Sequence, residues 1–270
     1  MCILAILYRV ARNTPILVAA NREEFLDRPT QHPKIQSGSP RVICGIDRQA
    51  GGTWLGVNQF GLFATVTNRR KRVVPLSPRS RGLLCRELLD RRTAAEAADH
   101  AKRELLTGKY AGANYVVADA KQAFVIYGGD RVEIIELEPG LHTLSNGDLN
   151  DHRDERQAMV RRMLTLHTLD SSVTFLAVAS RAFARKPDSF GRSGIVLPGP
   201  EFGTASSTLV ALSRKLQNAI MQYSPGPPSD VPYEDLSALL RQVLSAGRSR
   251  AREAEKAAAA SATSKPPKKK

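Results

Sequence analysis

Cys2 stands directly after Met1, and this position offers chemistry that other cysteines lack. Removal of Met1 would leave Cys2 with a free α-amine, whose reference pKa of about 7.7–8.0 is close to the thiol value of about 8.5. The amine can then accept the thiol proton, so that one residue supplies both the nucleophile and the general base. The alternative is that Cys2 is an ordinary small residue of the core.

A thiolate that attacks an amide also needs hydrogen-bond donors for the oxyanion and charged groups that hold the substrate. Asn68 and Asn146 are the candidate donors, because each follows an apolar strand-like segment. Arg22, Glu23 and Glu24 are the candidate charges. The alternatives stay open, since asparagines at strand ends also form turns and adjacent charges also form solvated clusters.

Residues of other types give no sign of a metal or cofactor. The five histidines and three cysteines lack the spacing of metal ligands, and Cys44 and Cys85 are predicted to be inert. Trp54, the single tryptophan, is predicted to lie in the core. Trp54 also belongs to the predicted substrate-binding or orienting group, whose members are Asn21, Glu23, Glu24 and Trp54.

The elements that must position these residues follow an α+β pattern with antiparallel sheets, because strands and helices come in blocks rather than in strict alternation. A hairpin is predicted over 2–20, and a polar loop with three prolines over 21–40. Later strands are predicted at 51–57, 62–67, 114–118, 123–127, 132–137, 141–144 and 207–212. Helices are predicted within 80–106 and at 153–166 and 233–245.

The composition indicates one globular domain over 1–245 and a disordered basic tail over 246–270. Hydrophobic residues make up 42% of the chain, and the net charge is +14. Half of that excess, +7, lies between Arg241 and Lys270, which holds nine basic and two acidic residues. The tail therefore predicts weak contact with polyanions or anionic membranes. The cysteine pattern and the lack of a signal-peptide pattern predict a cytoplasmic protein.

Several motifs together resemble the NRDE family, also called the transport and Golgi organisation protein 2 family. The first is Asn21-Arg22-Glu23-Glu24-Phe25 followed by Arg28-Pro29. The others are Ala50-Gly51-Gly52-Thr53-Trp54-Leu55-Gly56-Val57, Thr67-Asn68-Arg69, Ser80-Arg81-Gly82, Asn114-Tyr115 with Asp119, and His142-Thr143-Leu144-Ser145-Asn146-Gly147. They run in order over residues 1 to about 210.

That family is similar in turn to the N-terminal nucleophile hydrolases, especially the choloylglycine hydrolase and penicillin V acylase group. The resemblance implies an αββα four-layer sandwich with two antiparallel sheets. It also implies that Cys2 attacks the substrate and that Arg22 orients the thiolate. Asn68 and Asn146 would stabilise the oxyanion or the substrate.

The chain departs from the two families at three positions. Glu23 stands where the NRDE family has Asp, and Phe25 stands where the hydrolases have an Asp three residues after their Arg. Ala205 replaces the Arg of a family G-T-R-S motif. The leading hypothesis is an amidohydrolase that cleaves a C–N bond in a small-molecule amide. The alternatives are a non-enzymatic carrier of a lipid, acyl-thioester or haem-like ligand, and a polyanion-binding protein.

Overall fold

Two antiparallel sheets form the centre of the protein in a computed structural model that describes residues 2–189 and 194–249. The strands of sheet A, in spatial order, are β10 (Gly140–Leu144), β1 (Ile3–Tyr8), β2 (Ile16–Phe25), β11 (Phe202–Leu212), β12 (Ile220–Ser224) and β13 (Glu234–Asp235). The strands of sheet B, in spatial order, are β3 (Thr30–Gln36), β4 (Val42–Asp47), β5 (Leu55–Asn58), β6 (Phe63–Asn68), β7 (Ala113–Ala118), β8 (Ala123–Gly128) and β9 (Val132–Glu136).

Four helices cover the outer faces of the sheets, namely α1 (Arg81–Leu88), α2 (Ala94–Leu106), α3 (Glu155–Thr165) and α4 (Ser172–Phe183). A last helix, α5, over 237–249, packs on the apolar cluster between the sheets, and a 3-10 turn lies at Leu216–Asn218. The first two helices pack on sheet B and the next two on sheet A, while a third apolar cluster lies between the sheets. This arrangement confirms the predicted αββα sandwich.

Strand β1 is buried on both faces, which explains its almost continuous apolar sequence. Leu4, Ile6 and Tyr8 point between the two sheets, and the alternate residues point towards α3 and α4. Because side chains alternate along a strand, this register also fixes the direction of Cys2 at the start of β1. Cys2 therefore faces the space between the sheets.

The predicted loop over 21–40 is wrong. Strand β2 continues to Phe25, and 30–36 form the edge strand of sheet B. The polar side chains of β2 can be buried because each forms a hydrogen bond or an ion pair on the face of the strand to which it points. Pro33 has no backbone N–H, which suits an edge strand, and the register of β3 against β4 shifts between Gln31 and Lys34.

Four further strands and helices were not predicted, namely β4, α4, β12 and β13. The helix predicted over 233–245 begins at 237 and extends to 249 among the described residues. Of the predicted tail, 246–249 are therefore helical, and 250–270 lie outside the described residues. In the described part of the chain, no helix is both long and apolar enough to cross a bilayer.

Candidate active site

Three predicted residues lie side by side at one end of sheet A. Strands β1 and β2 pair Ile3 with Asn21, and strands β1 and β10 pair Leu4 with Leu144. Continuing these registers to the start of β1 places Arg22 on one side of Cys2 and Asn146 on the other. Residues from three separate segments of the chain are thus brought together by strand pairing alone.

The same face of the sheet carries all three side chains. Leu144 belongs to the cluster between the sheets, whereas Thr143 and Ser145 bond to the α3 side, so Asn146 alternates onto the inner face with Cys2. Arg22 lies on that face as well. Its guanidinium stacks on the ring of Trp54, the residue that precedes β5 of sheet B. Cys2 and Arg22 therefore line the same cleft between the sheets, and Asn146 lies beside Cys2 by register without lining that cleft.

Arg22 is held by contacts on both sides. Its Cζ lies 4.5 Å from the centroid of the Trp54 ring, and its Nη2 lies 3.6 Å from Oε2 of Glu24. Only 9% of Arg22 is exposed. Oε2 of Glu24 also lies 3.7 Å from Nε of Arg28, and Nη2 of Arg28 donates to Oδ2 of Asp47 at 2.7 Å. A line of alternating charges thus crosses from sheet A to sheet B.

The ring of Trp54 packs against Gly45 of β4, where a residue with a side chain would leave no room for it. A Cβ on Gly45 would lie 2.3 Å from Cη2 of Trp54, a distance at which the ring would have to move. The carbonyl oxygen of Trp54 accepts hydrogen bonds from Thr65 Oγ1 at 2.8 Å and from the Val66 N–H at 3.0 Å. The backbone of Trp54 is therefore held in place, and its indole ring packs between Gly45 and the guanidinium of Arg22.

Glu23 and Glu24 point to opposite faces of β2, so the three adjacent charges do not form a solvated cluster. Glu23 is 3% exposed and forms an ion pair with Arg156 of α3, whose Nη2 also donates to the Ile195 carbonyl at 2.7 Å. Burial raises the pKa of Glu23, although its hydrogen bond to Arg156 opposes the shift. Glu23 therefore supports the sheet from the helix side.

Asn21 likewise points away from Cys2. Its Nδ2 donates to the carbonyl oxygen of Phe183, the last residue of α4, at 3.0 Å. Asn21 alternates onto the helix side with Ala19 and Leu17, which belong to the cluster under α3 and α4. The predicted substrate contact for Asn21 does not fit this placement, because the side chain faces the helix layer rather than the cleft.

The thiol of Cys2 is shifted towards its neutral form in this structure. Burial raises its pKa and the carboxylate of Glu23 raises it further, while the Glu23 backbone N–H and the Arg22 charge act in the opposite direction. The pKa values of Cys44 and Cys85 are raised as well, chiefly by burial. Cys2 differs from them in being partly exposed, whereas Cys44 and Cys85 are buried. Activation of Cys2 therefore requires a base.

The side chain of Asn146 has no hydrogen-bond partner among the described residues, and its Oδ1 is buried. An asparagine that forms a turn would bond to nearby backbone through its side chain. The side chain of Asn146 forms no such bond, so it does not act as a turn former. An unpaired buried amide costs free energy, which makes it a natural donor or acceptor for a bound substrate.

The turn that carries Asn146 is clamped by buried side chains from sheet B and from α3. Asn114 Nδ2 donates to the carbonyls of Ser145 at 3.3 Å and Gly147 at 3.1 Å, and Thr67 Oγ1 donates to that of Ser145 at 2.7 Å. On the other face, Gln157 Nε2 donates to Ser145 Oγ at 3.1 Å. The backbone of Asn146 is therefore held in place without any use of its own side chain.

Asn68 ends β6 and is exposed, with no side-chain hydrogen bond among the described residues. It lines a cleft of about 310 Å³ together with Cys2 and Arg22. The opposite wall of this cleft is the segment 78–82, which includes Arg79 and Arg81. Asn68 thus lies at the cleft entrance.

The supporting residues Asn114, Arg156 and Gln157 were not among the predicted site residues. Asn114 had a sequence signal, because Asn114-Tyr115 is one of the family motifs. Arg156 and Gln157 lie on α3, and nothing local in the sequence couples that helix to the start of β1. Within 2–189 and 194–249, no group of three His, Cys, Asp or Glu residues is arranged to hold a metal ion.

Comparison with known families identifies relatives over most of the chain. The model of the family described as Transport and Golgi organisation 2 matches residues 1–222. A human Transport and Golgi organization protein 2 homolog is 33% identical over 140 residues, which are 48% of this chain and 50% of that protein. The bovine homolog is 27% identical over 227 residues, covering 72% of this chain and 81% of that protein. The chain thus spans about half the length of the human relative.

Two solved structures share the fold. The penicillin V acylase from Agrobacterium tumefaciens has a TM-score of 0.58 at 14% identity, covering 87% of this chain and 86% of that chain. The Caenorhabditis elegans ortholog of N-acylethanolamine-hydrolyzing acid amidase has a TM-score of 0.54 at 15% identity, covering 77% of this chain and 92% of that chain. Both have the sandwich of the N-terminal nucleophile hydrolases, which confirms the predicted fold.

Proposed function

Because this chain belongs to the Transport and Golgi organisation 2 family and has the fold of the N-terminal nucleophile hydrolases, we propose that it hydrolyses C–N amide bonds through a cysteinyl acyl-enzyme. The observation that carries the proposal is the row of Asn146, Cys2 and Arg22 on the inner face of sheet A. A nucleophile, an unpaired amide and a buried cation are the groups that acyl transfer needs.

Removal of Met1 takes place once, before any turnover, and frees the α-amine of Cys2. The amine takes the thiol proton, and Sγ of Cys2 attacks the carbonyl carbon of the substrate amide. The C–N bond then breaks, and the leaving nitrogen takes the proton from the α-ammonium group. Water attacks the resulting thioester, which releases a carboxylic acid and restores the thiol.

The surrounding residues have separate tasks in this scheme. The negative oxygen of the tetrahedral intermediate accepts a hydrogen bond from the side-chain amide of Asn146, and Asn68 contacts the substrate at the entrance. Arg22 stabilises negative charge on Sγ, since its guanidinium lowers the pKa of the thiol. The carboxylate of Glu23 raises the pKa of the thiol, so the thiol stays neutral until the α-amine accepts the thiol proton.

The shape of the site favours a polar amide. The void directly behind Cys2, between Trp54 and Thr67, has a volume of only about 10 Å³, too small for an acyl chain. The substrate must therefore lie in the outer cleft, whose walls carry Arg22, Asn68 and Arg81. A non-enzymatic carrier of a lipid or haem-like ligand would use this same cleft, but its charged lining gives that hypothesis less support.

The test combines intact-mass spectrometry with an assay on two amides taken from the names of the structural relatives, penicillin V and an N-acylethanolamine. We expect a chain without Met1, a mass increase on Cys2 corresponding to the acyl group, and release of the amine. The Cys2→Ala variant should lose both signals, and Cys44→Ala should keep them. Retention of Met1, or amine release that survives in Cys2→Ala, would contradict the proposal.

A further inference from the structure

A second cleft lies at the opposite end of the sandwich from Cys2. Strand β1 runs from the active site to the hairpin at Pro15, about 20 Å away for a strand of this length. The cleft there has a volume of about 420 Å³, within the range of small-molecule sites. Its lining comes from the β1–β2 hairpin, the β5–β6 turn, the start of α2 and the end of α5.

Gln59 lines this cleft, and its Nε2 is an unpaired donor buried below the surface. The residue is 2% exposed, and its Nε2 has no hydrogen-bond partner within the described residues. The amide orientation is fixed, because Oε1 accepts from the backbone N–H of Arg41 at 2.9 Å and therefore Nε2 must be the donor. A buried donor without an acceptor costs free energy, and an anion in the cleft could bond to it only if the Gln59 side chain turned outward.

Three arginines line the same cleft, and none of them forms an ion pair with an acidic side chain among the described residues. They are Arg92, Arg214 and Arg248. Arg92 is preoriented, since its Cζ lies 4.5 Å from the centroid of the Phe60 ring. Arg248 is tied across the cleft by a hydrogen bond from Nη2 to the carbonyl oxygen of Arg214 at 2.8 Å. No acidic residue lines this cleft.

Thr93, the N-cap of α2, also lines the cleft, but the first N–H groups of this helix are already paired, that of Ala94 with Asp119 and that of Glu96 with Thr93 Oγ1. Glu96 accepts a hydrogen bond from the backbone N–H of Arg92 at 2.9 Å. Asp119 is the other nearby carboxylate, and it is occupied in the same way. It accepts hydrogen bonds from the backbone N–H groups of Ala94 at 2.7 Å, Lys121 at 2.7 Å and Gln122 at 2.9 Å. The cleft therefore presents donors and positive charge with no competing acceptor on its walls.

We propose that this cleft binds the phosphate or diphosphate group of a small molecule, at a site separate from the Cys2 centre. A phosphate carries close to two negative charges and three acceptor oxygens, which suits the several guanidinium groups of this cleft. One guanidinium group can donate two parallel hydrogen bonds to two phosphate oxygens. A single carboxylate has only two oxygens, so it could not accept from all three arginines in this way. Because the arginines are exposed, binding should weaken as salt is raised.

The end of α5 is part of this site. A Cβ on Gly247 would lie 1.9 Å from the carbonyl oxygen of Gln59, so the helix backbone packs directly on the residue that carries the unpaired donor. This close contact places Arg248 beside the cleft. Binding of a phosphate group would therefore stabilise the packing of α5 against the β5–β6 turn.

The test is isothermal titration calorimetry of the full chain with sodium pyrophosphate at low ionic strength. We expect binding to the wild type and a loss of affinity of about tenfold or more in an Arg92→Gln/Arg214→Gln double variant. Arg131→Gln removes an exposed arginine elsewhere and should bind like the wild type, as should Cys2→Ala. Circular dichroism checks that each variant is folded. Equal affinity in the double variant and the wild type, or no binding to the wild type, would overturn the proposal.

A second arm separates a free phosphate compound from a lipid headgroup. Flotation with vesicles that contain phosphatidic acid should capture the protein if the headgroup is the source. Pyrophosphate should then release part of the bound protein, and the double variant should float less, keeping only the weak binding that the basic tail supplies. Wild type and double variant that float equally and resist pyrophosphate alike would place the phosphate contact outside this cleft and count against the site.

Discussion

Nδ2 of Asn114 lies 3.1 Å from the carbonyl oxygen of Gly147, so a residue in the middle of sheet B holds the turn that ends β10 of sheet A. The same amide accepts a hydrogen bond from Arg69 at 3.2 Å through Oδ1. Asn114 is fully buried. The position of Asn146 beside Cys2 therefore depends on a bond between the two sheets.

Asn114→Ala should lower the free energy of unfolding by about 1–3 kcal/mol, because buried hydrogen bonds are lost and a cavity replaces the amide. Urea denaturation measures this. Asn68→Ala is the matched control, since Asn68 is exposed and has no side-chain hydrogen bond among the described residues, and it should change stability by less than about 0.5 kcal/mol. Equal effects would show that Asn114 is not the clamp.

Asn146→Ala should give the opposite pattern. Its side chain makes no hydrogen bond in the described structure, so stability should be almost unchanged. If Asn146 donates to the oxyanion, kcat should fall by about 10²–10³. The measurement pairs amide hydrolysis with a urea curve for the same protein. A stable variant with full activity would remove Asn146 from the mechanism.

Glu23→Gln should speed the alkylation of Cys2 by iodoacetamide near neutral pH. The carboxylate raises the pKa of the thiol, so its removal shifts the pH profile of the rate to lower pH. Mass spectrometry of the labelled peptides gives the rate at each cysteine, and Cys44 and Cys85 should stay slow because they are buried. Glu24→Gln is the control, and a Glu23→Gln profile that overlays the wild type would contradict the assigned effect.

Asp47→Asn should reduce the loss of stability in acid. Burial by itself would raise the pKa of Asp47, but Arg28 and the N–H groups of Gln49 and Ala50 hold it below its usual value. Its charged form then stabilises the fold above about pH 3.9, and this contribution is lost as pH falls through the lower folded value. The variant should be less stable by about 1–2 kcal/mol at pH 7 and less sensitive to acid below pH 3.9.

Urea curves at pH 7 and at several values between pH 2 and 4 check this expectation. Asp130→Asn is a suitable control, because Asp130 forms an exposed ion pair with Arg72. An Asp47→Asn curve parallel to the wild type across this pH range would show that the charge of Asp47 contributes nothing.

Two truncations should differ in thermal stability. A chain that ends at Ser245 loses Gly247, whose backbone packs against Gln59, and its melting temperature should fall by about 2–4 °C. A chain that ends at Ser249 loses only the basic segment 250–270 and should melt like the wild type, because that composition offers little to bury. Scanning calorimetry checks both, and equal melting temperatures would mean that the end of α5 adds no stability.

The α+β class could be predicted from the order of the elements, and the αββα sandwich from the resemblance that the motifs carry. Cys2, Arg22, Asn68 and Asn146 were predicted as members of one site, and the register brings Arg22 and Asn146 beside Cys2 because β2 and β10 flank β1. The loop predicted over 21–40 was wrong, because the polar residues of 21–25 lie in a strand with both faces covered. Arg22 and Glu23 are buried on opposite faces of this strand, and the ion pair of Glu23 is with Arg156, far away in the sequence.

The role of Asn21 was also missed for a physical reason. In a strand with both faces covered, adjacent polar residues belong to different layers, and a motif does not reveal which layer each one faces. Glu23 depends on Arg156, 133 residues further along the chain. Such pairs are fixed by the packing of α3 on sheet A, and no local pattern encodes it.

The irregular edge of sheet B has a consequence for how copies of the protein behave at high concentration. An unpaired strand edge can template the addition of a strand from another molecule, which leads to aggregation. Pro33 offers no N–H to such a strand, and the register shift beside it bends β3 out of line. Replacement of Pro33 by valine would straighten this border and make the protein more prone to form intermolecular sheets.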